Sequence, residues 1–260
     1  MYRHRLKLSK DNNYDNIVLS TVNKSLFVVD VKYNETLNEY KNKIEQYYSN
    51  NVWDKIKKII NPYELIYITN KKFRYKSIAK VEPLSRSYFK IIEIAHLYLL
   101  KYNNNSYLDR YSKIKTVRSL HLAEGPGGFV EGWNDFRGDS SFDKQYAITL
   151  CSDKKEIPGW YKSTKFLKKN KNVKIITGLD NKGDLYNPCN INYLVNRLGA
   201  HSIDIITADG GFDFSVGYNM QEHYASKLIY CQILVALKCQ MISGSSSTNY
   251  VRNLTEIMSL

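Results

Sequence analysis

The sequence predicts an α/β fold in which a mostly parallel sheet carries helices on both faces. From residue 117 onward, short apolar runs alternate with stretches whose apolar residues recur at helical spacing. Strands that alternate with helices pair in parallel, with right-handed crossovers. Two of the apolar runs end in an acid followed by glycines, at Glu124 and at Asp209. Because parallel strands form ligand crevices at their carboxyl ends, both turns are expected to face one site.

The elements of this domain can be placed in chain order. Strands are predicted over residues 117–123, 145–150, 173–177 and 203–208, and the helices that follow them over residues 129–136, 160–169, 191–198 and 219–240. A further helix is predicted before the first strand, over residues 85–102. Ser85 is its expected N-cap, two residues after Pro83.

The first 84 residues have a different pattern. Two runs rich in β-branched residues predict paired strands, and two stretches with helical spacing predict helices that end before Pro62; these elements cover residues 17–22, 25–31, 35–48 and 52–60. We therefore expect a small α/β segment over residues 1–84, a main domain over residues 85–240, and an atypical tail over residues 241–260.

Composition favours a polyanionic partner. The 260 residues include 38 Lys and Arg against 25 Asp and Glu, which gives a formal net charge of +13. Lysines cluster at residues 55–58, 71–76 and 165–171, although each cluster alone could equally be a solvated helix face. The four cysteines have neither disulfide nor zinc spacing, and no apolar stretch is long enough to span a membrane. A reduced, cytoplasmic protein without membrane contact is expected.

The first glycine turn reads Glu124-Gly125-Pro126-Gly127-Gly128-Phe129. Its glycines allow close approach of the backbone to a ligand, and the helix that follows presents free N–H groups. A nicotinamide-dependent oxidoreductase would need the G-x-G-x-x-G pattern here, with a pyrophosphate at the helix N-terminus. The carboxylate of Glu124 would repel a pyrophosphate but could hold a cationic amino acid group.

Together with Thr207-Ala208-Asp209-Gly210-Gly211-Phe212, this turn resembles the FtsJ/RrmJ-like family of RNA 2′-O-methyltransferases, in particular the cap ribose methyltransferase branch of eukaryotes and large DNA viruses. Residues 177–185, 219–222 and 231–237 are also similar to that branch. The resemblance implies a Rossmann-like methyltransferase fold, S-adenosylmethionine as the cofactor, and RNA as the substrate, with capped mRNA as the expected target and capping enzymes as expected partners. Under this resemblance the segment over residues 1–84 is the expected RNA- or cap-binding extension.

The resemblance also implies roles for individual residues. Lys90, within a segment like the one that carries the family's first lysine, and Asp209 are the expected catalytic residues. Residues of the glycine turn are expected to hold the methionine end of the cofactor, and two acids the adenine side, where Asp184 matches better than Asp180; the turn residues are Glu124, Gly125, Pro126, Gly127, Gly128 and Phe129. No cluster in the sequence has the spacing of a metal site.

The family's catalytic set is Lys-Asp-Lys-Glu, and its second half has no match. The second lysine lies in a G-G-x-F-x-x-K pattern, which does not follow the helix over residues 219–240. Lys238 lies on that helix, and Glu256 is in a different context, so neither is assigned a role. The fold is therefore expected to stop after the fourth strand and its helix. The competing expectation is a catalytically incomplete subunit of a capping assembly that binds cofactor or RNA.

Overall fold

The computed structural model describes residues 31–48, 52–61, 65–66, 78–96, 116–138, 142–154, 157–211 and 221–241. The chain divides into two compact units between Glu82 and Pro83. None of the helices within these ranges is long and apolar enough to cross a membrane. The four cysteines, all within the described ranges, are free thiols.

The unit before Pro83 contains two described helices, α1 over Val31–Tyr48 and α2 over Val52–Ile60. Glu39 and Lys43 lie one turn apart on α1 and form an exposed ion pair of 2.7 Å. Val31 begins α1, so the strand expected over residues 25–31 is wrong at its last residue. The rest of that strand and the strand expected over residues 17–22 lie outside the described residues.

The second unit begins with helix α3, Ser87–Ile94, and alternates strands and helices thereafter. In chain order these are β1 Arg118–Leu122, α4 Gly128–Arg137, β2 Lys144–Ile148, a 3₁₀ turn Tyr161–Ser163 that leads into α5 Thr164–Lys169, β3 Val173–Ile175, α6 Pro188–Leu198, β4 Ile205–Ala208 and α7 Gln221–Cys239.

The four strands form one parallel sheet in the order β3-β2-β1-β4. Side chains alternate between its two faces, as the two-residue period of a strand requires. Leu120, Leu122 and Ile206 face one side, where they pack with residues of α6 and α7. Ile205 and Val173 face the other, with residues of α3, α4 and α5. The expected α/β fold with helices on both faces is confirmed.

Most predicted elements occur within two or three residues of their expected bounds. The start of helix α3 differs from the prediction. Arg86 occupies the N-cap position, and its side chain makes no capping hydrogen bond. The Ser85 side chain instead shares a 2.6 Å hydrogen bond with the Ser87 hydroxyl. Ser85 is therefore not the N-cap, and residues 97–102 of the expected helix lie outside the described range. Helix α6 begins three residues earlier than predicted, since Asn187 caps it by accepting the Cys189 N–H at 3.0 Å.

His121 lies fully buried in the middle of β1. Its Nδ1 lies 2.7 Å from the Thr207 hydroxyl on β4, and its Nε2 lies 3.1 Å from the Ser119 hydroxyl. Burial lowers the pKa of His121 to about 3. The ring is therefore a neutral core group that joins two strands.

A neutral buried histidine makes stability depend on pH. The unfolded chain takes up a proton on His121 below about pH 6.5, while the folded chain takes it up only near pH 3. Its contribution to stability is therefore complete above pH 6.5 and is lost as the pH falls. Relative to a His121→Asn variant, we expect wild-type unfolding free energy to drop by about 2 kcal/mol between pH 6.5 and pH 5.

Urea unfolding of both proteins at the two pH values measures this difference. The buried acid Glu124, whose pKa is raised, acts in the opposite direction in both proteins, so its contribution cancels. A difference between the two proteins that stays constant with pH would contradict the assignment.

Candidate active site

The glycine turn follows β1 at the carboxyl edge of the sheet. The Gly127 N–H donates to the Glu124 carbonyl at 2.6 Å, and Gly127 has a φ of +110°, a conformation that favours glycine. The Gly125 N–H donates to the Thr149 hydroxyl at 3.0 Å, which ties the turn to the end of β2. The turn is thus fixed on both sides of Pro126, whose carbonyl accepts the hydroxyl of Ser163.

Glu124 is buried within this turn, with 3% of its surface exposed. One carboxylate oxygen accepts the Phe129 N–H at 2.5 Å, at the start of α4. The other oxygen is buried and has no hydrogen-bond partner among the described residues. Burial raises the pKa of Glu124 well above its usual value, and the charge of Asp209 adds to this, while the Phe129 N–H and Lys90 oppose it. A buried acceptor is therefore available to a donor from a ligand.

The start of α4, where the turn ends, packs closely against its surroundings. A Cβ at Gly128 would lie 2.1 Å from the Ser85 hydroxyl, and one at Gly132 would lie 2.4 Å from a methyl of Ile91. Two glycines four residues apart therefore let α4 pack closely against α3. The Phe129 side chain is buried in the protein, so the turn can present only the backbone of this residue to a ligand.

Lys90 and Asp209 lie 119 residues apart in sequence and meet at the tip of β4. The Lys90 Nζ, on α3, lies 3.0 Å from one Asp209 oxygen and 3.5 Å from the other. The lysine side chain is 36% exposed and the aspartate 14%, so the pair opens to solvent on the lysine side. Burial raises the pKa of Asp209, and Lys90 opposes this rise. Lys90, Asp209 and Glu124 are thus close enough to affect one another electrostatically.

The tip of β4 is held against the tip of β1. A Cβ at Gly210 would lie 2.7 Å from the Cβ of Ala123 and 2.3 Å from the Nε2 of Gln232 on α7. Glycine at this position allows Asp209 to follow β4 directly while the two turns touch. The two strand-tip turns that the sequence pointed to are therefore neighbours.

Asp180 and Asp184 lie in a separate loop between β3 and α6. Asp180 accepts the Lys182 N–H at 2.9 Å, and this hydrogen bond is the main cause that lowers the pKa of Asp180. Asp184 accepts the Tyr186 N–H at 2.8 Å. The Cys151 N–H, after β2, donates to the Lys182 carbonyl at 2.7 Å. The loop is therefore attached to the end of β2, on the other side of β2 from the glycine turn in strand order.

Asn190 on α6 organises this loop, and sequence reasoning missed it. The side chain is fully buried; its Oδ1 accepts the Leu179 N–H at 2.8 Å, and its Nδ2 donates to Asp180 at 2.9 Å and to the Asp184 carbonyl at 3.0 Å. The available signal was a polar residue within the first turn of a helix, at a position where α6 faces the core. Both predicted adenine-side acids depend on Asn190 for their placement.

Replacing Asn190 with alanine is expected to loosen the loop. The Leu179 N–H, the Asp180 carboxylate and the Asp184 carbonyl would each lose the partner that Asn190 provides, and a cavity would remain at a buried position, so unfolding free energy should fall by about 2 kcal/mol. Affinity for S-adenosylmethionine should fall about tenfold if the loop holds the cofactor, with a smaller effect on the maximal rate. Calorimetric titration and thermal melting measure both. Asn192→Ala, exposed on the same helix, is the control and should leave both values nearly unchanged.

Among the described residues, no group of three or more His, Cys, Asp or Glu side chains is arranged to hold a metal ion. The site is instead built from one lysine, buried acids and closely approached backbone.

A parallel sheet with a glycine turn after β1 and a lysine–aspartate pair at the tip of β4 defines a Rossmann-like methyltransferase fold. A family model described as FtsJ-like methyltransferase matches residues 83–251, well over half of the chain. The chain belongs to the FtsJ-like methyltransferase family. The resemblance found in the sequence is confirmed.

Three curated proteins illustrate the similarity. A cap-specific mRNA (nucleoside-2′-O-)-methyltransferase 1 of Leishmania braziliensis is 35% identical over 127 residues, covering 44% of this chain and 28% of that protein. A cap-specific mRNA (nucleoside-2′-O-)-methyltransferase of Autographa californica nuclear polyhedrosis virus is 30% identical over 126 residues, covering 48% and 45%. A cap-specific mRNA (nucleoside-2′-O-)-methyltransferase 2 of Drosophila melanogaster is 25% identical over 184 residues, covering 66% and 24%. The matched part spans less than half the length of these relatives.

Proposed function

We propose that this protein transfers a methyl group from S-adenosylmethionine to a ribose 2′-hydroxyl of RNA, at the cap-proximal nucleotide of mRNA. The observation that carries the proposal is the Lys90–Asp209 pair of 3.0 Å, next to the buried carboxylate of Glu124. The printed names of the similar proteins support the choice of capped mRNA. Action in the cytoplasm, with capping enzymes as partners, is part of the same proposal.

The residues around the glycine turn suit the amino acid end of this cofactor. The buried Glu124 oxygen without a described partner can accept a hydrogen bond from an ammonium group, and that positive charge would favour the ionised carboxylate. The backbone at Gly125 and Gly127 can approach a ligand closely. Asp184, with Asp180 as the second choice, would hold the adenine side. When bound, S-adenosylmethionine supplies an electrophilic methyl group on a positively charged sulfur.

The remaining chemistry belongs to the chain's own side chains. Methyl transfer needs the ribose oxygen aligned behind the methyl carbon, so positioning should supply most of the catalysis. Lys90, whose Nζ contacts Asp209, would bind the 2′-hydroxyl and, in its neutral amine form, accept the hydroxyl proton. Asp209 keeps the Nζ directed at the strand tips through the two contacts described above.

The test is transfer of a tritiated methyl group to three RNAs of one sequence: capped, uncapped, and capped with a 2′-deoxy first nucleotide. Incorporation into the first alone supports the proposal. Equal incorporation into the first and third would move the target to another nucleotide. Calorimetry with S-adenosylmethionine and with NAD accompanies it, because heat with NAD alone would favour an oxidoreductase.

A cofactor- and RNA-binding subunit of a capping assembly is the competing function. The observation that favours it is that, among the described residues, Lys90 is the one cation in contact with Asp209. Binding of the cofactor without incorporation into any of the three RNAs would support this function instead.

A further inference from the structure

A row of lysines on the outer face of α5 is not used by the proposed active site. Lys162, Lys165, Lys168 and Lys169 recur at spacings of three and four, so they share one face of the 3₁₀ turn and the helix. Lys171 follows in the turn after α5, and all five lysines are exposed. We call these five residues the α5 lysine row.

The α5 lysine row carries only positive charge. No Asp or Glu occurs between Ile157 and Leu179, and the ion pairs among the described residues do not involve any of the five lysines. Helix α1 shows the usual alternative, because its Lys43 is paired with Glu39 one turn away. Lysines one turn apart repel each other, so a dense row without acids is relieved by an anion from outside.

The row rests on a fixed base. Phe166 and Leu167 pack into the core on the opposite side of α5. Beneath the turn after α5, the Asn170 side chain donates to the Phe166 carbonyl at 2.9 Å and accepts from Asn134 at 3.3 Å. Asn134 in turn accepts from the buried Gln145 at 3.0 Å. The lysines therefore project from a backbone that is held in place.

The α5 lysine row begins beside the glycine turn and leads away from it. Ser163, next to Lys162, donates its hydroxyl to the carbonyl of Pro126. The row then follows α5 to β3, at the edge of the sheet. Strand spacing of about 4.8 Å puts β3 roughly 15 Å from β4, which precedes Asp209. Beside Lys162, the ring of Tyr161 is 68% exposed and offers a surface for stacking.

We propose that the α5 lysine row binds the backbone of single-stranded RNA, several nucleotides away from the nucleotide at Lys90 and Asp209. The choice of RNA over another polyanion rests on the proposed function, together with the exposed aromatic ring of Tyr161 within the row. Phosphates along a flexible strand match a row of separate cations, and counterion release drives such binding.

The test compares two double variants that each remove two positive charges. Lys165→Gln with Lys168→Gln changes the row, and Arg197→Gln with Lys238→Gln changes exposed positions on α6 and α7, on the opposite face of the sheet. Affinity for an RNA of about 20 nucleotides and for one of about 4 nucleotides is measured by fluorescence anisotropy at several salt concentrations.

The row variant should bind the long RNA about tenfold more weakly, with the slope of log affinity against log salt reduced by about 1.4. Its binding to the short RNA and its affinity for S-adenosylmethionine should match wild type, as should all values for the control variant. The proposal is overturned if both variants lose the same affinity for the long RNA. It is also overturned if the row variant loses binding to phosphatidylserine vesicles but keeps wild-type affinity for RNA. Weakening specific to the row supports it even if no methyl transfer is found, so the two proposals fail separately.

Discussion

Replacing Lys90 with alanine is expected to reduce methyl transfer at least a hundredfold while leaving cofactor affinity within a few-fold of wild type. The Lys90 Nζ contacts both oxygens of Asp209, so the variant removes the group proposed to hold the 2′-hydroxyl and accept its proton. Asp209 would lose the cation that opposes the rise of its pKa on burial, so the aspartate would be held more in its protonated form. Tritiated methyl incorporation at saturating RNA measures the loss.

Lys238→Ala is the matched control, because Lys238 is an exposed lysine on α7 to which the sequence assigned no catalytic role. It should retain wild-type incorporation. Circular dichroism and a thermal melt show whether the Lys90 variant is folded. Asp209→Asn should also lose activity, since it removes the charge that holds the lysine. Equal incorporation by the Lys90→Ala variant and wild type would remove Lys90 from the mechanism.

Gly183→Ala is expected to cost about 3 kcal/mol of unfolding free energy and to weaken cofactor binding at least tenfold. Gly183 has a φ of +65°, and a Cβ there would lie 2.0 Å from the carbonyl oxygen of Thr149. The clash involves backbone at the end of β2, which cannot move aside as a flexible side chain could. Either the loop between β3 and α6 or the end of β2 must shift, and the loop carries Asp180 and Asp184.

Gly138→Ala separates the two causes, because Gly138 also has a φ of +65° but a Cβ there would meet no atom within 4 Å. It should lose stability through backbone strain, by about 1 to 2 kcal/mol, and keep wild-type cofactor affinity. Urea unfolding and calorimetric titration of both variants provide the comparison. If the two variants lose the same stability and the same affinity, contact with Thr149 is not the reason that glycine occupies position 183.

The alternation of strands and helices was predictable because the hydrophobic periodicity and the turn residues between elements agree over residues 117–211. Each strand of the sheet is short, largely apolar and followed by a glycine or a polar turn, so the positions of β1 to β4 along the chain were predicted correctly. The Lys90–Asp209 contact was expected only through the family resemblance. Residue spacing alone cannot show that side chains 119 positions apart are in contact, because this contact depends on how α3 packs against α4 in the folded chain.

Other features were not predictable, for identifiable physical reasons. The N-cap at Ser85 was a reasonable expectation from residue type, but the Ser85 hydroxyl bonds to that of Ser87 instead. The role of Asn190 was not predictable, because a polar residue on the core-facing side of a helix does not show which groups of the preceding loop it will bind. The lysines over residues 165–171 were predicted as a cluster, but only the bounds of the 3₁₀ turn and α5 show that Lys162, Lys165, Lys168 and Lys169 share one face.

Because α3 and α4 are in close contact, the substitutions that one helix accepts depend on the residues of the other. Gly132 is not among the residues proposed to act on a ligand, but a side chain there would push against Ile91, the neighbour of Lys90. A larger residue at position 132 is therefore acceptable only with a smaller one at position 91, and the two positions should change together among related proteins. Covariation between a glycine and an isoleucine, neither of which is proposed to act in the reaction, would then reflect the need to keep Lys90 in place.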